Sequence, residues 1–120
     1  MDEKPLSAGS VAGNAREHER VNVNWRARIV VGPNQFLDAK VINASVGGVC
    51  LLGDHPYRQG TSLQVALAIP TPQDRTRIHF TEVQAKVAYQ VMNNHSFKIG
   101  LQFTAVDDAT VKLIKQWVWS

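Results

Sequence analysis

The sequence predicts an all-β domain, a barrel or sandwich of about six strands followed by one amphipathic C-terminal helix. Apolar residues alternate with polar ones in several short runs, which is the pattern of strands with one buried face. Glycine, proline and asparagine separate these runs, as turns between antiparallel strands require. A helical spacing of apolar residues begins only near Asp107. We expect residues 1–15, which lack an apolar period, to form a flexible tail, and residues 16–120 to form one domain.

The first two strands are predicted as a hairpin. Every second residue from Val21 to Val31 is apolar, which indicates a half-buried strand. The turn formers of residues 32–35 follow, and an alternating run continues from Leu37 to Val41. We therefore expect the two runs to pair antiparallel.

Four further runs complete the predicted sheet, at residues 49–52, 63–69, 78–91 and 97–103. In the run 78–91 the apolar parity slips near Thr81 and Glu82, which predicts a β-bulge or a break between strands at that point. After the slip, Val83 to Val91 share one parity, so that Tyr89 is expected on the apolar face.

A helix is predicted over residues 107–119. Asp107 or Asp108 can cap its first turn. Its apolar stripe consists of Val111, Ile114, Trp117 and Val118. Because apolar faces are usually buried, we expect this helix to dock on the barrel as a lid; the alternative is a partner-binding helix. Trp119 lies beside the stripe and is a candidate for an exposed contact residue.

Composition limits the classes to which the protein can belong. The chain has 120 residues, 44% hydrophobic and 19% charged, which is typical of one globular domain. Its single Cys50 and its charged opening residues are compatible with a reducing cytoplasm, and no segment is apolar enough to span a membrane. A net charge of +3 suggests an anionic partner without requiring one.

Two polar segments interrupt the strand pattern. The first is an R-x-x-x-R pair, Arg16 and Arg20, directly before the first strand; the second is N-x-S-x-x-G, from Asn43 to Gly48, in a predicted loop after the first hairpin. Taken singly, the arginines are explained as solvated charges and the loop as an Asx-type turn. Taken together, they are candidates for one polar binding site.

In this order, and with Ile99-Gly100-Leu101-Gln102-Phe103 in the last strand, the two motifs resemble the signature of the PilZ domain family. The resemblance covers about residues 16–103. It implies a six-stranded antiparallel β-barrel that binds the bacterial second messenger cyclic di-GMP without acting as an enzyme. It also implies a stand-alone monomeric receptor that relays the signal, by a ligand-induced conformational change, to an unidentified downstream protein.

The resemblance assigns roles residue by residue. Arg16 and Arg20 would grip guanine edges and phosphates, Asn43 and Ser45 would hydrogen-bond guanine, and Gly48 would keep the loop close to the ligand. Many members carry aspartate where this chain has Asn43, so a weaker hydrogen bond and a lower affinity are expected here. Some carry arginine where this chain has Ala15, so one ligand per domain is expected.

The remaining reactive residues bear on other classes of function. The four histidines are far apart and no second cysteine is present, so neither a metal site nor another cofactor is expected. Ser45 is not in a G-x-S-x-G elbow, and Cys50, in an apolar run, is expected to be an inert core thiol. A barrel that binds single-stranded nucleic acid stays an alternative, based on Trp25, Tyr89 and the positive charge, although Trp25 has inward parity. A protein-interaction domain without nucleotide binding is the other.

Overall fold

Six antiparallel strands close into a barrel in the computed structural model, which describes residues 19–119. The elements, in chain order, are β1 (Val21–Gly32), β2 (Gln35–Ser45), β3 (Gly48–Gly53), β4 (Ser62–Pro70), β5 (Ile78–Asn93), β6 (Ser96–Ala105) and the helix α1 (Asp108–Val118). Around the barrel the strand order is β1-β2-β3-β6-β5-β4, and β4 closes the circle on β1. The predicted all-β fold with a C-terminal helix is confirmed.

The alternating apolar residues fill the inside of the barrel. In β1 the buried positions are Trp25, Ala27 and Ile29, and the residues between them are exposed. The same alternation buries every second residue of β4 from Leu63 to Ile69. Strand pairing places these inward faces opposite one another, so that the core is continuous across all six strands.

The helix α1 completes the core as the predicted lid. Asp107 is its N-cap and accepts a hydrogen bond of 2.8 Å from the backbone N–H of Thr110. Ile114 is fully buried, and the Trp117 ring meets Trp25 edge to face with centroids 5.7 Å apart. Trp119, at the C-cap, is 69% exposed. Within residues 19–119, no helix has the length and apolar character needed to cross a bilayer.

The predicted irregularity at Thr81 and Glu82 was wrong. Strand β5 is continuous there, and its pairing with β4 keeps one register from Ile78 to Lys86. The parity slips because Phe80 is an apolar side chain on the outer face, where it is 76% exposed. The register shifts of β5 lie on its β6 side, at Gln84/Ala85 and at Val87/Tyr89.

The second of these shifts changes the orientation of Tyr89. Val87 pairs with the inward-facing Leu101, but Tyr89 pairs with Gly100, so Ala88 is the extra residue of a β-bulge. The bulge turns Tyr89 to the outer face of the barrel, against the inward orientation expected from parity. Val91 follows it and is 53% exposed.

Candidate functional site

Arg20 and Asn43 meet on the outer face of the barrel. Arg20 lies directly before β1 and donates a hydrogen bond of 3.0 Å from Nη1 to Oδ1 of Asn43 in β2. The β2–β3 register shifts between Val41 and Asn43, so that Ile42 is an extra residue and Asn43 points outward while Ala44 is buried. A bulge therefore aims the Asn43 amide at the arginine.

Ser45 lies near them, at the end of β2. The structure corrects the predicted loop here: Asn43 and Ser45 belong to β2, Gly48 begins β3, and only Val46 and Gly47 form the turn. The Ser45 hydroxyl accepts a hydrogen bond of 3.2 Å from the Gly47 N–H and donates one of 3.3 Å to the Gly48 carbonyl. Ser45 is 4% exposed, and its two hydrogen bonds stabilise the tight turn between β2 and β3.

Gly48 is a point of close contact between strands. A Cβ added at this position would lie 2.0 Å from the carbonyl oxygen of Leu101 in β6, a distance that no real side chain tolerates. The turn is also tied to β6 by the Phe103 N–H, which donates to the Gly47 carbonyl at 2.9 Å. Glycine is therefore required for packing here, whatever its part in ligand binding.

Of the five residues predicted for the site, the structure places four on neighbouring parts of one surface. Arg20 and Asn43 are in direct contact, and Ser45 and Gly48 face each other as cross-strand partners beside them. Arg16, like the tail at residues 1–15, lies outside the described residues.

Sequence reasoning missed an aromatic surface beside these residues. On the outer face, Asn43 pairs with Cys50, Cys50 with Gly100, and Gly100 with Tyr89. We call these four residues the outer row. The Tyr89 ring lies against Gly100, where an added Cβ would be 2.1 Å from Cε2, and its hydroxyl donates to Cys50 Sγ at 3.7 Å. Tyr89 is 41% exposed, so its ring offers a flat surface at the β5 end of the outer row, whose β2 end is Asn43.

Cys50 occupies an unexpected place in this row. Its side chain is 1% exposed, as predicted, but it lies on the outer side of β3 near the Tyr89 hydroxyl rather than inside the barrel. The glycine in the last strand is the sequence signal for this arrangement, because a glycine within a strand often marks a bulge or a close approach by another group.

The site can bind a ligand by hydrogen bonding and stacking. It combines a guanidinium fork, an amide, a glycine-lined strand end and the face of an aromatic ring. In the described part of the chain, no group of three or more His, Cys, Asp or Glu side chains is placed to hold a metal ion. The guanidinium and the aromatic face suit a planar, anionic ligand.

Several solved structures share this fold. The inhibitor of motility MotI/DgrA of Bacillus subtilis is 16% identical with a TM-score of 0.74, over 88% of this chain and 50% of that one. YcgR of Escherichia coli in complex with c-di-GMP is 12% identical with a TM-score of 0.70, over 89% and 46%. The PilZ domain of YcgR with c-di-GMP is 12% identical with a TM-score of 0.62, over 87% and 88%. The chain thus spans about half the length of the first two proteins.

Comparison with curated proteins finds no match to the sequence. A family model does match, and it covers almost the whole chain: the model described as PilZ domain aligns with residues 14–119. This range includes both polar segments, all six strands and the helix. The chain belongs to the PilZ domain family.

Proposed function

We propose that this protein is a receptor for cyclic di-GMP in the bacterial cytoplasm, and that it binds the nucleotide on the outer row and the adjacent Arg20. The observation that carries the proposal is the contact between Arg20 and Asn43, which joins the two halves of the family signature on one surface. The two YcgR structures with c-di-GMP support the choice of ligand, since they share the fold.

Each polar group has a role that suits a bis-guanine dinucleotide. A guanidinium carries five N–H donors in a planar fork, and the bond to Asn43 engages only Nη1 of Arg20. Arg20, together with Arg16, is proposed to grip guanine O6 and N7 or phosphate oxygens. Asn43 and Ser45 are proposed to supply hydrogen bonds to guanine, and Gly48 to keep the β2–β3 turn close to the ligand by allowing β3 to approach β6.

Tyr89 adds a stacking surface that the family motif does not predict. Its ring is anchored by Gly100 on one side and by the Cys50 sulfur at its hydroxyl end. A ring held in this way loses little entropy when a base stacks on its exposed face. We propose that one guanine stacks on Tyr89 while Arg20 and Asn43 read its edge.

The receptor is proposed to act by binding and relay, without turnover of the nucleotide. When Arg16 and Arg20 hold the same ligand, the segment before β1 is fixed against the end of β2, and the surface shown to a protein partner changes. We expect one nucleotide per monomeric domain, because Ala15 offers no third guanidinium for a stacked ligand pair.

Titration calorimetry with cyclic di-GMP tests the proposal on the wild type and on Arg16→Ala, Arg20→Ala and Arg58→Ala. The control residue Arg58 is exposed in the β3–β4 connection and belongs neither to the two polar segments nor to the outer row. We expect a dissociation constant on the order of micromolar for the wild type and for the control. Removing one partner of a charge-assisted contact costs about 2–5 kcal/mol, so each of the other two variants should bind at least about thirtyfold more weakly.

The same titrations distinguish the competing classes. Undiminished binding by both Arg16→Ala and Arg20→Ala would contradict the assigned site. Protein-dependent loss of the nucleotide during long incubation would indicate an enzyme. Preference for a single-stranded oligonucleotide, with affinity that falls steeply as salt rises, would indicate a nucleic-acid-binding barrel.

A further inference from the structure

A groove with a volume of about 790 Å³ runs along the outer side of β4, on the face formed by β2, β1, β4 and β5. Its floor consists of Ala66 and Ala68, the outward residues between the buried Val65, Leu67 and Ile69. Long side chains of the two neighbouring strands form its walls: Arg26 and Arg28 on β1, and Phe80 and Glu82 on β5. Two strand spacings separate the walls, about 10 Å.

Phe80 is the most exposed large hydrophobic side chain of the described residues, at 76%. It is the direct cross-strand partner of Ala68, so its ring stands beside the alanine floor. Phenylalanine contributes little to folding when three quarters of its surface stays in water. Aromatic side chains that pack into concave surfaces are enriched at the centre of protein–protein interfaces.

Arg26 is the second residue in the groove that folding does not explain. Within residues 19–119 its side chain has neither an ion pair nor a hydrogen bond. Its cross-strand partner in β2 is Lys40, and like charges placed directly opposite each other destabilise a sheet. An incoming carboxylate would relieve this repulsion.

The other charges of the groove already have partners. Arg28 forms an ion pair of 3.4 Å with Asp38, and its guanidinium lies 5.6 Å from the centroid of the Phe36 ring. Glu82 accepts a hydrogen bond from Gln64. Among the residues that the structure describes, the groove therefore offers one cation without a charged partner, one exposed aromatic ring and an alanine floor between them.

We propose that this groove docks an extended segment of a partner protein, which places an apolar side chain on the alanine floor beside Phe80 and a carboxylate on Arg26. An α-helix is about 10–12 Å wide with its side chains and does not fit between walls that are about 10 Å apart. Nucleic acid is disfavoured because Asp38 and Glu82 balance the charges of Arg26 and Arg28, so that the groove lacks the net positive charge that a run of phosphates requires.

The groove is separate from the proposed nucleotide site. Its floor is on β4, whereas Asn43, Cys50 and Gly100 lie on β2, β3 and β6. The docking proposal therefore stands or falls independently of the nucleotide.

A library of phage-displayed random dodecapeptides, selected on the wild-type protein in the presence of excess soluble Ala68→Arg, tests the proposal. Ala68 points outward, so an arginine there fills the groove without entering the core. We expect the selected peptides to share an acidic residue near a large apolar one. Their affinity for purified variants is then measured by fluorescence anisotropy.

Two matched pairs of variants locate the binding site. Phe80→Ala is compared with Met92→Ala, which removes a similarly exposed apolar side chain (69%) from the β5–β6 hairpin. Arg26→Glu is compared with Arg58→Glu, which makes the same charge change in the β3–β4 connection. We expect Phe80→Ala and Arg26→Glu to weaken peptide binding at least tenfold and the two controls to leave it within about twofold. Cyclic di-GMP titration and thermal unfolding report whether each variant is folded.

Three results would overturn the proposal. Selected peptides that bind Ala68→Arg as well as the wild type, or are affected equally by the variants and their controls, would place binding outside the groove. An oligothymidine probe that binds more tightly than any peptide and is lost in Arg26→Glu would make the occupant a nucleic acid. A dimer that dissociates in Ala68→Arg would make it a second copy of this chain.

Discussion

The Arg20 guanidinium donates a hydrogen bond of 3.0 Å to the amide oxygen of Asn43, a residue 23 positions later in the sequence. The contact joins the segment before β1 to the bulged end of β2. It also means that the Asn43 oxygen is shared between the arginine and any ligand that approaches from the outer row. The charge of this acceptor should therefore influence affinity.

Asn43→Asp is expected to bind cyclic di-GMP up to about tenfold more tightly than the wild type. A carboxylate accepts charge-assisted hydrogen bonds, worth about 1.5–3 kcal/mol against 0.5–1.5 for neutral ones, and tenfold corresponds to about 1.4 kcal/mol. Calorimetry measures the change. Asn22→Asp is the control. Asn22 is the cross-strand partner of Asn43, so this substitution adds the same negative charge on the neighbouring strand. An equal effect of both substitutions would show a general field effect instead of a specific contact.

Tyr89→Ala is expected to weaken cyclic di-GMP binding, whereas Tyr89→Phe is expected to keep most of it. Stacking of one base on an aromatic ring contributes about 1–3 kcal/mol, which corresponds to a loss of about fivefold to more than a hundredfold. Phenylalanine retains the ring and loses only the hydroxyl that contacts Cys50. If the alanine variant binds as tightly as the wild type, the Tyr89 ring does not contact the nucleotide and only packs against Gly100.

Strand alternation was sufficient to predict about six strands in a barrel or sandwich, because both architectures bury one face of every strand, and the family resemblance selected the barrel. The alternation did not predict which way a side chain points where a β-bulge interrupts the two-residue period, because a bulge leaves no mark in the composition. The bulges at Ile42 and Ala88 each insert one residue and turn Asn43 and Tyr89 outward, and both depend on pairing with distant strands. The residues next to Ile42 and Ala88 in the sequence do not indicate that pairing.

The candidate site was predictable to the extent that its motif is local. Ser45 and Gly48 follow Asn43 within one short segment, and Arg20 precedes the first strand at a short distance. Tyr89 reaches the site only because β5 and β3 both pair with β6, which brings residues 39 positions apart, Cys50 and Tyr89, into contact. Such a contact is a property of the strand order.

Acid should destabilise the protein through the cap of α1, and Asp107→Asn should remove this part of the pH dependence. Hydrogen bonds from the Thr110 side chain and from its backbone N–H lower the pKa of Asp107. A lowered pKa stabilises the folded state fully above the ordinary aspartate pKa of about 3.9, and this stabilisation is lost as the pH falls toward the folded-state value. An asparagine accepts the same cap bond at every pH.

Thermal unfolding between neutral pH and pH values below the ordinary aspartate pKa checks this expectation. The melting temperature of Asp107→Asn should fall less than that of the wild type over the acid range. Asp108→Asn, the neighbouring exposed residue of the first turn, is the control and should follow the wild type. Parallel curves for Asp107→Asn and wild type would show that the cap carboxylate does not contribute to acid unfolding.

Gly48→Ala is expected to destabilise the fold strongly, whereas Gly53→Ala in the same strand should not. An added methyl group at Gly48 would lie 2.0 Å from the Leu101 carbonyl oxygen, and because this atom belongs to the backbone, the clash is relieved only if β3 and β6 separate. Overpacking of this kind costs about 1–3 kcal/mol. At Gly53 the nearest atoms, of Ile99 and Ala39, are 3.8 and 3.9 Å from the added group, which is ordinary contact. Alanine also lowers the entropy of the unfolded chain, so that Gly53→Ala should be neutral or slightly stabilising.

Chemical denaturation of both variants measures this difference directly. For Gly48→Ala the free energy of unfolding should drop by at least about 1 kcal/mol, and amide protons of the β3–β6 ladder should exchange faster than those of β1–β4. Loss of cyclic di-GMP affinity in the folded fraction should accompany the change, because the turn after Ser45 is hydrogen-bonded both to Gly48 and to β6. Equal stability of the two variants would mean that the strands adjust to a side chain at position 48, and that the glycine of the motif is explained by ligand contact alone.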